Sequence, residues 1–196
     1  MPALINFLET SHSIILIIHT VGFILGVGGA TVNDFLFFKF LKDLKISHLE
    51  SSILASLSKI IWAGLIVLII SGVGLFLPDS ERLLGSPKFL AKMVVVLIIL
   101  INGIALNLWI SPKLKRISFE KKHEHVPGEL RNLRRFAFAL GAISIISWYS
   151  ALILGSLRRL PYSFMTFISV YLLLILIGVV GSLAFEYLIS KRKIKP

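Results

Sequence analysis

Five runs of apolar residues, each long enough to span a lipid bilayer, decide what this chain can fold into. They cover residues 13–38, 53–77, 89–110, 136–156 and 164–189. A helix needs about 20 consecutive apolar residues to cross the hydrocarbon core. Inside that core only helices and closed barrels satisfy every backbone polar group. Soluble helices carry their apolar residues on one stripe, whereas these runs are apolar on nearly every side. At 56% hydrophobic residues, the chain is also too apolar for a soluble domain of its size. The expected fold is all-α: an integral membrane bundle of five transmembrane helices, one domain over residues 1–196, embedded in the lipid bilayer.

The net charge of +11 would fit a nucleic-acid partner, but its distribution fits a membrane topology instead. All but five of the 21 Lys and Arg residues fall in the first-to-second connection with the adjoining start of the second run, in the third-to-fourth connection, or in the C-terminal tail. The five others are Arg82, Lys88, Lys92, Arg158 and Arg159. Basic residues concentrate on the cytoplasmic side of membrane proteins. This predicts an N-terminus outside, a C-terminus in the cytoplasm, and residence in the cytoplasmic (inner) membrane of the cell, with no role for nucleic acid. The basic excess then also attracts anionic lipid headgroups. No Lys or Arg precedes Lys39, so the charged n-region of a cleavable leader is missing and the first run is read as the first helix. The chain has no cysteine, which excludes disulfides, iron–sulfur clusters and covalently attached haem.

The longest connection, residues 111–135, is strongly charged and is punctuated by Pro112 and the Pro127–Gly128 pair. It holds His123 and His125, a weak metal signal without a third ligand beside it, read as solvated loop. Small residues recur within the helices: Gly22, Gly26 and Gly29 in the first, Gly64, Ser71 and Gly72 in the second, Gly141, Ser144, Ala151 and Gly155 in the fourth, and Gly178, Gly181 and Ser182 in the fifth. In lipid, such faces let helix backbones approach closely. In the first helix they could instead leave room for a flat ligand.

His19 stands out because an ionisable side chain within a membrane helix is a functional-site candidate by default. His12, His19, Gly26 and Asn33 follow one another at seven-residue spacing and stay on one side of the first helix. His12 and His19 are about 10 Å apart along the axis, so they cannot clamp one ion between them. On the predicted topology, Lys92, Trp148, Tyr149 and Tyr171 share the outer half of the bundle with His19. Two readings of His19 stand open: a group that binds a ligand or carries a proton, or a structural histidine satisfied by a neighbouring carbonyl. A second polar group lies at the other end: Asn33, Asp34, Lys59, Asn107 and Glu186. There Asp34 is expected to form a structural ion pair with Lys59, or with Arg134 or Arg135.

Three segments carry a resemblance: IHTVGFILGVGGA in the first helix, SGVGLFL closing the second, and PKFLAKMVVVLIILINGIALNLWISPKL around the third. Over roughly the first 115 residues the chain resembles a group of small polytopic membrane proteins that includes the copper-resistance-D-type and the membrane protoporphyrinogen-oxidase (HemJ-type) families. In the oxidase family the first-helix His is an axial ligand of b-type haem and a third-helix Lys is needed for activity. The resemblance implies these roles for His19, which would ligate the haem iron, and for Lys92. The chain offers no second intramembrane His, and the Arg-rich segment of the oxidase family is missing.

The leading expectation is a cofactor site in the outer half of the bundle. There His19 would hold haem b, Lys92 would neutralise a propionate, and Trp148, Tyr149 and Tyr171 would form the walls. Such a site would serve redox or haem-dependent chemistry with a redox partner or small-molecule ligand. The alternatives are a transporter or channel-like component, with His19 and the Asp34/Lys59 end as polar way-stations, and a structural subunit without a ligand.

Overall fold

A computed structural model describes residues 2–40, 47–113, 129–157 and 161–193. His123, His125, Arg158 and Arg159 lie outside them. The described residues form helices and no strand. The order is α1 (Pro2–Thr10), α2 (His12–Phe40), α3 (His48–Phe76), α4 (Ser80–Leu84), α5 (Pro87–Ala105), α6 (Glu129–Ser156) and α7 (Phe164–Lys193). A 3₁₀ turn, Leu77–Asp79, joins α3 to α4, and a π-helical segment, Leu106–Ile110, continues α5. Five stretches are long and apolar enough to cross a membrane: His12–Phe40, His48–Leu84, Pro87–Lys113, Asn132–Ser156 and Phe164–Leu188. They coincide with the five runs, and the multi-pass membrane fold follows from them. The short helices α1 and α4 are additions that run length alone did not reveal.

Local chemistry sets the helix ends. Ser47 and Glu50 form a capping box: the Glu50 amide donates to Ser47 Oγ (3.2 Å) and the Ser47 amide donates to Glu50 Oε2 (2.7 Å). This satisfies amides that the first helical turn leaves unpaired. Ser86 caps α5 and is followed by Pro87, whose fixed φ suits a first helical position. Ser163 accepts the Thr166 amide (3.2 Å) at the start of α7.

The tightest seam is between α2 and α3. A Cβ placed on Gly22 would lie 2.9 Å from the Leu68 backbone nitrogen, and one on Gly64 would lie 2.8 Å from the Gly22 carbonyl oxygen. The two backbones touch, and only glycine permits it. Lipid supplies little hydrophobic drive for helices to associate, so close packing of this kind is a main source of attraction. The central helix is α6: half of its apolar window is buried, against 6% for α7. Around α6 gathers a core of Ala30, Leu65, Leu68, Val95, Ile99, Trp148, Ala151 and Tyr171. A smaller cluster, Ile110, Leu133, Ala137 and Phe138, closes the end where Phe40, His48 and Lys113 also lie, the basic end. By contrast, α3 leans almost entirely on α2 and meets α5 at few points. One is the Phe76–Phe89 stack (centroids 5.7 Å apart) at the far end. A gap remains between α3 and α5.

Adding a methyl group to the seam should therefore be costly. Gly64→Ala is expected to destabilise the folded protein by about 1–3 kcal/mol. Gly28→Ala, whose new Cβ would meet nothing within 4 Å, should be neutral or slightly stabilising through helix propensity. Thermal unfolding in detergent micelles compares the two.

A cavity between helices as the candidate functional site

His19 packs against α3. Its Nδ1 lies 3.0 Å from Ser71 Oγ, and the Ser71 hydroxyl donates in turn to the Val67 carbonyl (2.5 Å). The hydroxyl proton is committed to that carbonyl, so His19 donates and Ser71 accepts. The glycine face beside His19 is filled by protein. Gly22 meets the α3 backbone, the Trp148 indole sits directly on Gly26, and Ile61 covers Gly29. A planar cofactor finds no room among these three glycines.

The other residues expected around His19 divide: Lys92 lies within electrostatic range of it, whereas the three aromatics make other contacts. Trp148 is buried, edge-on to Phe23 at a centroid distance of 6.1 Å. Tyr171 is buried in the same core, with its hydroxyl 2.7 Å from Ser147 Oγ. Tyr149 is exposed, with its hydroxyl 3.3 Å from Thr31 Oγ1. Lys92 Nζ lies beside Gly155 of α6, and no hydrogen bond or ion pair joins it to His19 among the described residues.

Open space lies elsewhere. A cavity of 860 Å³ fills the gap between α3 and α5, floored by α2 and α6, toward the basic end. Its polar lining comprises Asn33 and Asp34 from α2, Ser51, Ser58 and Lys59 from α3, Asn102 from α5, Asn107 and Ser111 from beyond it, and Ser144 from α6. Trp148 forms part of one wall. Polar contacts tie the four helices together around this space. The Ser58 hydroxyl donates to Asn107 Oδ1 (3.0 Å), the Asn102 amide donates to the Leu140 carbonyl (3.1 Å), and Asp34 lies beside Ser144. Asn107 sits in the π-helical segment. One extra residue per turn reorients the side chains that follow, and such segments are common at functional sites.

The expected Asp34–Lys59 ion pair is not formed among the described residues. Asp34 is buried at 4% exposure and turns to Ser144, while Lys59 lines the same cavity as an exposed side chain. Arg134 and Arg135 do not reach Asp34 either. Both pair with Glu186 of α7: Arg134 through a buried, two-nitrogen contact and Arg135 at 3.4 Å. Among the described residues this leaves three oxygens in the cavity-lining set buried without a hydrogen-bond partner: Asn33 Oδ1, Asp34 Oδ2 and Asn102 Oδ1. Native proteins rarely bury such atoms unsatisfied.

Of the polar group marked in the sequence, Asn33, Asp34, Lys59 and Asn107 line the cavity and Glu186 does not, while Ser58, Asn102 and Ser144 were not marked as part of it. Their signal was present, since each is a polar residue in an otherwise apolar stretch. Ser58 and Ser144, however, cannot be told by sequence from serines that bond back to their own helix. No family model, no curated protein and no solved structure matches this chain.

The buried ion pair gives a test of the basic end. Glu186→Gln removes the buried carboxylate that Arg134 and Arg135 share and should destabilise by about 3–5 kcal/mol. Asp79→Asn, which breaks the exposed Arg82–Asp79 pair, should leave the thermal midpoint unchanged, as is usual for surface pairs.

Proposed function

We propose that this chain is a membrane transport component that takes a small polar solute or ion into the cavity between α3 and α5. One observation carries the reading: a cavity within membrane-crossing helices, largely apolar but with polar side chains from four helices on its wall, three of whose buried oxygens are left unpartnered. Polar side chains at membrane depth are expensive and mark solute and ion pathways. A closed structural bundle would satisfy them internally. Two further features support movement: α3 is held to α2 and only lightly to α5, and the π-helical segment interrupts α5 beside the cavity.

The chain has no native cysteine, so single cysteines report access directly. Ser58→Cys and Asn107→Cys should react with a charged, membrane-impermeant thiol reagent, whereas Ile70→Cys, on an exposed apolar surface, should not. In sealed vesicles the cavity positions should react from both sides, as alternating access requires. Reaction from one side only would overturn the transport reading.

A b-type haem on His19, implied by the resemblance, is the competing reading. Against it stands the protein-filled glycine face; the Ser71 contact engages only Nδ1 of His19, as a metal-ligating histidine also would, and does not separate the two readings. Protein purified from haem-replete cells is expected to be colourless. A Soret band that disappears in His19→Ala would reverse this choice.

A further inference from the structure

The three unpartnered oxygens have something in common: all are acceptors. Asn33 Oδ1 and Asn102 Oδ1 are amide oxygens and Asp34 Oδ2 is a carboxylate oxygen. Asp34 and Asn102 are 4% and 5% exposed, so bulk water does not satisfy them. A buried acceptor without a donor loses its hydration and regains nothing. Three on the lining of one cavity call for a ligand that offers positive charge or donors.

Two anchors bring these groups to one neighbourhood. Asn102 donates its amide to the Leu140 carbonyl, and the Asp34 side chain lies beside Ser144. Leu140 and Ser144 are four residues apart on α6, a rise of about 6 Å. Side chains from α2 and α5 are thus pinned within one turn of the same helix. Each keeps one oxygen uncommitted.

Charge selects the ligand. Among the described residues, Asp34 is the single carboxylate on the cavity lining, and Lys59, exposed, is the other charged group there. One positive charge neutralises the carboxylate, whereas a divalent ion would leave an excess charge in a low-dielectric setting. Among the described residues no three His, Cys, Asp or Glu side chains gather to hold a metal ion, which argues against a transition-metal centre. Amide and carboxylate oxygens are the ligands that replace the hydration shell of alkali ions in membrane proteins.

We propose that Asp34, Asn102 and Asn33 form a binding site for a monovalent cation, either an alkali ion or the ammonium group of a small amine. The site rests on the transport reading in that this cation would be the transported or coupling species.

The test is thermal unfolding of the full chain in detergent micelles, titrated with sodium, potassium or methylammonium chloride. Choline chloride holds the ionic strength constant. At least one of the three cations should raise the midpoint saturably, as ligands of the folded state do, and the effective cation identifies the source. Asp34→Asn should raise the half-saturating concentration about thirtyfold or more, the effect of removing a buried charge partner. Asn33→Asp, which adds a second carboxylate, should shift the preference toward calcium or magnesium. A merely structural role for these residues would produce no such switch, and this variant keeps the test decisive if Asp34→Asn does not fold. Three results would overturn the site: no saturable stabilisation by any of these cations, a response to pH alone, or an unaltered cation response in both variants. One-sided cysteine labelling with cation binding intact would remove the transport reading and leave the site standing. Two-sided labelling without cation binding would do the reverse.

Discussion

Backbone contact between α2 and α3 is the constraint on which the rest of this bundle depends. Gly22 and Gly64 let two long apolar helices meet main chain to main chain, at a separation no side chain would allow. Helices in lipid have little to gain from burying apolar surface, so shape and proximity decide which pairs associate. Having committed one face to α2, α3 has few contacts left for α5. The gap between α3 and α5 is therefore a product of the seam: the same packing that secures one side of α3 leaves the other side open.

That opening is where the polar residues collect. An amide facing lipid would be unsatisfied and a hydroxyl there bonds only to its own helix, as Thr20 does to the Leu16 carbonyl, whereas one facing the gap can reach a neighbouring helix. Ser58 bonds Asn107, Asn102 bonds the Leu140 carbonyl, and Asp34 lies beside Ser144. These links cross between helices and set the shape of the cavity, yet they leave three acceptor oxygens over. His19 behaves differently. It is absorbed into the α2–α3 seam through Ser71, and Gly26 beside it is covered by Trp148.

Much of the fold was legible in the sequence. Run length and uniform apolarity fixed five membrane helices because the bilayer admits few alternatives, and the small-residue faces of the first and second helices marked the seam that formed. The candidate site was only partly legible. Asn33, Asp34, Lys59 and Asn107 were recognised as one polar end, since polar residues in apolar runs are conspicuous. The expected partner of Asp34 was misassigned because proximity in depth does not fix rotation. Lys59 and Asp34 line the same cavity, but Asp34 is oriented toward α6 and Ser144. The prominence of His19 came from its chemistry alone, and sequence could not reveal that Ser71 stood ready to satisfy it. The π-helical turn carrying Asn107 was illegible for a similar reason: nothing in the composition of residues 106–110 separates it from α-helix.

The lightly buried α7 shows what its two polar contacts accomplish. Its apolar residues point in every direction, so its sequence alone gives it no preferred face. Tyr171 meets Ser147 near one end, and Glu186 meets Arg134 near the other. They are fifteen residues apart, a rise of about 22 Å, and fall on the same side of the helix. Together they act as two dowels that fix rotational registry and vertical position. The lipid-facing surface of α7 is thereby released from any specifying role: its Leu, Ile and Val residues can be exchanged for one another freely, while positions 171 and 186 cannot.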